Sequence, residues 1–92
     1  MNYEHKDSTG NVIKKGDLIL YGYTFTIPVI GKVLGSIKNG VRYVYARKSI
    51  RGDIVEITSI CKRPQSAIIV NHLRNDIVTR QLFNLDLIDY DM

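Results

Sequence analysis

Tyr43 and Tyr45 stand two residues apart in a stretch that also carries Lys32, Lys38, Arg47 and Lys48, and Lys62 and Arg63 follow further along the chain. Flat rings set among cations suit a single-stranded nucleic acid, because the cations meet phosphates and the rings stack on bases. The same residue types also serve a plainer purpose. Tyrosine favours half-buried strand positions for packing alone, so Tyr43 and Tyr45 can equally lie with Leu34 under a neighbouring segment, leaving the lysines and arginines as a solvated rim. Both readings stand at this level. Arg47-Lys48 and Lys62-Arg63 are ordinary surface when each pair is taken alone, but together they strengthen one basic side.

Catalysis would need more than the chain offers. His5 and His72 are its two histidines and Cys61 its one cysteine. Asp7 and Asp76 could pair with them, but no second histidine or cysteine lies at the spacing a metal requires, and Ser59 and Ser66 sit at unremarkable strand ends. Lys14-Lys15-Gly16 lacks the spacing of a phosphate-binding loop. The expectation is therefore a non-enzymatic domain with no cofactor and no metal. Cys61 reads as a small buried apolar residue and Arg51-Gly52-Asp53 as a turn.

The elements that must position these residues follow from composition and punctuation. Ninety-two residues with 45% apolar and 24% charged side chains make one ordinary globular domain with one modest core. No apolar run is long enough to cross a bilayer, and the polar start lacks a signal-peptide segment, so a cytoplasmic protein is expected. The net charge of +4 is uneven. Residues 32–63 carry eight cations against Asp53 and Glu56, whereas residues 64–92 set Arg74 and Arg80 against Asp76, Asp86, Asp89 and Asp91. From their sign and the apolar residues between them, Asp86, Asp89 and Asp91 should lie near the basic surface and compete with an anionic ligand.

Strands are expected over residues 18–25, 30–38, 41–48, 54–60 and 67–70, the last as a short buried strand, with Pro28 and Pro64 in the links. A type I′ turn at Asn39-Gly40, with positive φ at both residues, would pair Lys38 with Val41, Ser36 with Tyr43, Leu34 with Tyr45 and Lys32 with Arg47 on one face. The other face would hold Ile37 with Arg42, Gly35 with Val44 and Val33 with Ala46, and reads as the core. Tyr21 and Tyr23 would extend the first face. Five short strands in so few residues favour a small barrel over a sandwich. Residues 1–11 read as a loose arm, 12–71 as the barrel and 72–92 as a C-terminal extension with an acidic end. In that extension Asp76 could cap a short helix through Asn84, yet residues 77–79 and 85–88 also look extended. Leu82, Phe83, Leu85, Leu87 and Ile88 are too apolar for a free tail, so the extension should pack on the barrel or on another subunit.

The stretch Ile13-Lys14-Lys15-Gly16-Asp17-Leu18-Ile19-Leu20, followed by Gly31-Lys32-Val33-Leu34, resembles the KOW motif of ribosomal and transcription-elongation proteins over about one quarter of the chain. It is also similar to short SH3-like proteins encoded by tailed bacteriophages. The resemblance implies an SH3-like barrel, and with the strand and apolar patterns the expected fold is an all-β, five-stranded SH3-like barrel with the C-terminal extension packed on it. In that barrel a Gly-Asp turn opens the first strand and a Gly-x-Val step lies in the second. Only Gly16, Asp17 and Gly31 carry over, as structural positions. KOW barrels contact RNA, DNA or a protein surface. The expected function is thus a binding module for RNA or single-stranded DNA through Lys32, Lys38, Tyr43, Tyr45, Arg47, Lys48, Lys62 and Arg63, in the host cytoplasm if phage-encoded. The alternative is a protein-interaction module, such as a phage-encoded inhibitor of a host enzyme, working through the tyrosine face or an open sheet edge.

Overall fold

Runs of β-branched and aromatic residues cut by glycine and proline build short strands. In the computed structural model, which describes residues 3–22 and 28–87, these are β1 (Leu18–Tyr21), β2 (Val29–Ile37), β3 (Gly40–Lys48), β4 (Ile54–Cys61) and β5 (Ile68–Ile69). They form one antiparallel sheet in the order β4-β3-β2-β1-β5. The all-β class, the five strands and a packed C-terminal extension are as expected. The sheet is open, because β4 and β5 end it without pairing to each other. Tyr23, with the end of the expected first strand and the link up to Pro28, lies outside the described residues, as do Ile88, Asp89 and Asp91. No described helix is long and apolar enough to cross a membrane.

The β2–β3 hairpin departs from its expected register. Ile37 pairs with Gly40, Ser36 with Val41 and Gly35 with Arg42, so the turn residues are Lys38 and Asn39. Asn84 is the only described non-glycine residue with positive φ, so Asn39 does not supply a type I′ turn. The reason lies in β4. A Cβ on Gly40 would collide with the Cys61 carbonyl, so Gly40 serves the close approach of β4 and is placed inside the strand. A bulge at Leu34 then shifts the register again, setting Val33 opposite Tyr43 and Lys32 opposite Val44. Directly paired residues share a face, so past the bulge Val33 joins the tyrosine face of β3 while Lys32 moves to the face of Val44 and Ala46.

Both faces of the sheet carry a packed cluster, centred on β1, β2 and β3. On one, Ile19, Tyr21, Val33, Val41, Tyr43 and Cys61 pack with Ile13 and Ala67. On the other, Leu18, Ile30 and Ala46 pack with Val70 and Leu85, flanked by Leu20, Val44, Leu73 and Phe83. The second cluster exists because a short helix, α1 (Ile77–Phe83), and a 3-10 turn (Leu85–Leu87) fold the chain end back. Asp76 caps α1, its carboxylate accepting from the Thr79 N–H at 2.9 Å and the Thr79 hydroxyl at 2.7 Å, which holds its pKa below the usual carboxylate value. Asn84 ends the helix in the left-handed conformation. Leu85 is fully buried while Leu82 stays exposed, so only part of the expected apolar set is covered.

The N-terminal residues are not a loose arm in the described part. Asp7 is buried, and its carboxylate accepts from the N–H groups of Thr9, Asn11 and Ile69 and from the Thr9 hydroxyl, at 2.7–3.0 Å. Ser8 N–H donates to Ala67 O and Ile13 N–H to His5 O. The turn-forming run that reads as loose is an Asp-centred loop tied to β5. That strand is shorter and less buried than expected, with Ile68 exposed.

Candidate binding surface

The tyrosines are arranged by Gly31. Its missing side chain leaves room for the Tyr43 ring, since a Cβ there would lie 2.5 Å from Tyr43 Cδ2. Tyr43 is only 5% exposed. Tyr21 meets it edge-on at 6.1 Å and 72°, and Tyr45 stacks against it at 5.7 Å and 23°. Tyr43 is therefore a core residue, and the expected platform of two exposed rings is corrected to one half-buried ring, Tyr45, backed by a buried one. Burial of Cys61 pushes its thiol pKa up, against opposing hydrogen bonds from the Arg63 backbone and the Tyr21 side chain.

The expected cations divide by location. Arg47 shares the tyrosine face, while Lys32, half-buried, and Lys48 lie on the opposite face through their pairing with Val44 and Ile54. Lys38 sits in the β2–β3 turn, and Lys62 follows β4 beside Gly40, with Arg63 next to it. A single face with all eight residues does not form. Instead Lys38, Arg42, Arg47, Lys48, Arg51, Lys62 and Arg63, seven exposed cations, spread along the β3–β4 ribbon and its ends against Asp53 and Glu56. The acidic end does not answer them as expected in its described part: Asp86 takes two hydrogen bonds from the Arg80 guanidinium, at 2.6 and 2.8 Å.

A cleft of about 620 Å³ opens beside this ribbon, between the tyrosines and the end of α1. Tyr45 and Tyr43 form one wall, Leu82, Phe83 and Asn84 another, and Arg47 and Lys48 bring cations to it. An apolar recess with charge beside it can take a flat ring and its attached anion. His5 donates from Nε2 to the Ile37 carbonyl at 2.7 Å, a structural role, and His72 is exposed.

The resemblance-derived positions have local reasons. Gly16 has a φ of +91°, its N–H donates to Val33 O, and its own carbonyl accepts from Arg74. Asp17 accepts from Lys14 N–H at 2.8 Å and from the Asn71 amide at 2.9 Å, and Asn71 in turn accepts from Leu18 N–H. This knot anchors the C-terminal extension to the start of β1. Asn71 and Arg74 carry no recognisable signal in the sequence, because their partners lie more than fifty residues away. No protein-family model matches the chain, and no curated protein or solved structure matches it.

Proposed function

We propose that the protein is a non-catalytic module that binds single-stranded nucleic acid along the β3–β4 ribbon, with one base entering the cleft beside Tyr45. The supporting observation is the distribution of charge: seven exposed cations on one ribbon and its ends, with two carboxylates among them. Such a surface attracts a phosphate chain and releases its counterions. The half-buried Tyr45, held flat by Tyr43, offers one stacking surface next to Arg47.

Titrating a labelled single strand and the matching duplex over a range of salt tests this reading. Arg47→Ala and Lys48→Ala should each weaken the single-strand complex and flatten its salt dependence by about one unit. Tyr43→Ala should instead lower stability, as loss of a core aromatic does. Affinity that does not change with salt would sink the nucleic-acid reading.

A further inference from the structure

β4 has few of the devices that blunt a sheet edge. It contains no proline, glycine, lysine or arginine, and its one charge is Glu56. Its eight residues pair with β3 in one unbroken register. Among the described residues no strand pairs with its outer side, so alternate N–H and C=O groups along it point away from the sheet. Ile54, Val55 and Ile60 are 47%, 41% and 38% exposed.

We infer that the outer edge of β4 pairs antiparallel with β4 of a second copy, about a two-fold axis at Ile57, joining the two sheets. The strand is self-complementary in that register. With Ile57 opposite itself, Ile54 meets Ile60 of the second copy, Val55 meets Ser59 and Glu56 meets Thr58. Exposed apolar side chains then cover each other, and the one carboxylate faces a hydroxyl. The neighbouring registers that keep each face with its counterpart are worse: one sets Glu56 against Glu56, and the other sets Glu56 against Ile60.

The assembly also stops at two. The far edge, β5, is two residues long, and its Ile69 N–H is already donated to Asp7. A symmetric contact through β4 therefore uses the one long open edge among the described strands and closes.

Sedimentation of the full chain from micromolar to millimolar concentration should show a reversible monomer–dimer equilibrium. Thr58 is exposed, so changing it leaves the fold in place. Thr58→Glu sets two carboxylates opposite each other at two symmetric places and should raise the dimer Kd about tenfold, whereas Thr58→Lys, facing Glu56, should lower it. Under mild oxidation Ile57→Cys should cross-link to itself across the axis. Val55→Cys should not, because its counterpart lies four residues along the strand, and buried Cys61 does not compete. A chain that stays monomeric, a ladder of larger oligomers, a dimer indifferent to position 58, or cross-linking through position 55 in place of 57 overturns the inference.

Discussion

At the β5 edge the chain closes its own sheet: Ile69 N–H donates to the Asp7 carboxylate at 2.9 Å and Ser8 N–H to Ala67 O at 2.8 Å. At the β4 edge eight residues run with exposed isoleucine and valine and with no described strand beside them. The difference follows from length. A two-residue strand has so few outward groups that one buried carboxylate and one backbone amide satisfy them. Eight residues present a ladder that only water or another strand can match. The protein thus has one edge finished by side-chain chemistry and one left available for pairing.

The comparison breaks most severely where β4 is held to the sheet. A Cβ at Gly40 would collide with the Cys61 carbonyl, which is backbone and cannot swing away. Gly40→Ala should push β4 from β3 and cost about 3 kcal/mol of stability, read from urea denaturation. A wild-type midpoint would show that the two strands approach less closely.

The next effect belongs to the closed edge. Asp7→Ala leaves the Ile69, Thr9 and Asn11 N–H groups without their acceptor and should cost about 2–3 kcal/mol, with faster hydrogen exchange at Ile69. Burial raises the Asp7 pKa, but the hydrogen bonds from Ile69, Thr9 and Asn11 outweigh it and hold the carboxyl below its ordinary 3.8. Folding therefore favours the ionised form. Its contribution is complete above the unfolded-state pKa and is lost as pH falls through the lower folded-state value. Asp7→Asn should flatten the melting temperature against pH in that acid window; an unchanged acid slope would place the dependence elsewhere.

The smallest effect is expected on the open edge. Ile60 is 38% exposed and sits opposite Arg42, so Ile60→Glu exchanges exposed apolar surface for a cross-strand ion pair. Thermal stability should change by less than about 0.5 kcal/mol while self-association weakens. A large loss of stability would mean that β4 is not an edge in the sense described.

Much of the local structure is readable from residue types. Strands β3 and β4 fall within a residue or so of their expected limits, because β-branched and aromatic runs bounded by glycine have few other uses. The ends of α1 were also visible in outline: Asp76 and Asn84 are suited to a helix start and a left-handed stop. What remained open there was helix against extended chain, and the structure settles it with Leu85 buried in one cluster with Leu18, Ile30, Ala46 and Val70.

Composition and punctuation by themselves determine an all-β domain with an uneven charge, since strand propensity, turn chemistry and net charge are local properties. Which face of the β2–β3 hairpin is core is a different kind of question. Asn39-Gly40 satisfies the rule for one turn, but Gly40 is needed against Cys61, and the displaced register with the Leu34 bulge buries Tyr43 over Gly31. The hairpin pairing slips by two residues, which keeps each side chain on its expected face, and the Leu34 bulge adds a one-residue step, which brings Val33 onto the tyrosine face and sends Lys32 to the other, while the strand assignment is untouched. Asp7 shows the same limit: its hydrogen-bond partner Ile69 lies sixty-two residues away, and only the folded chain decides that a turn-forming aspartate becomes the cap of a sheet edge.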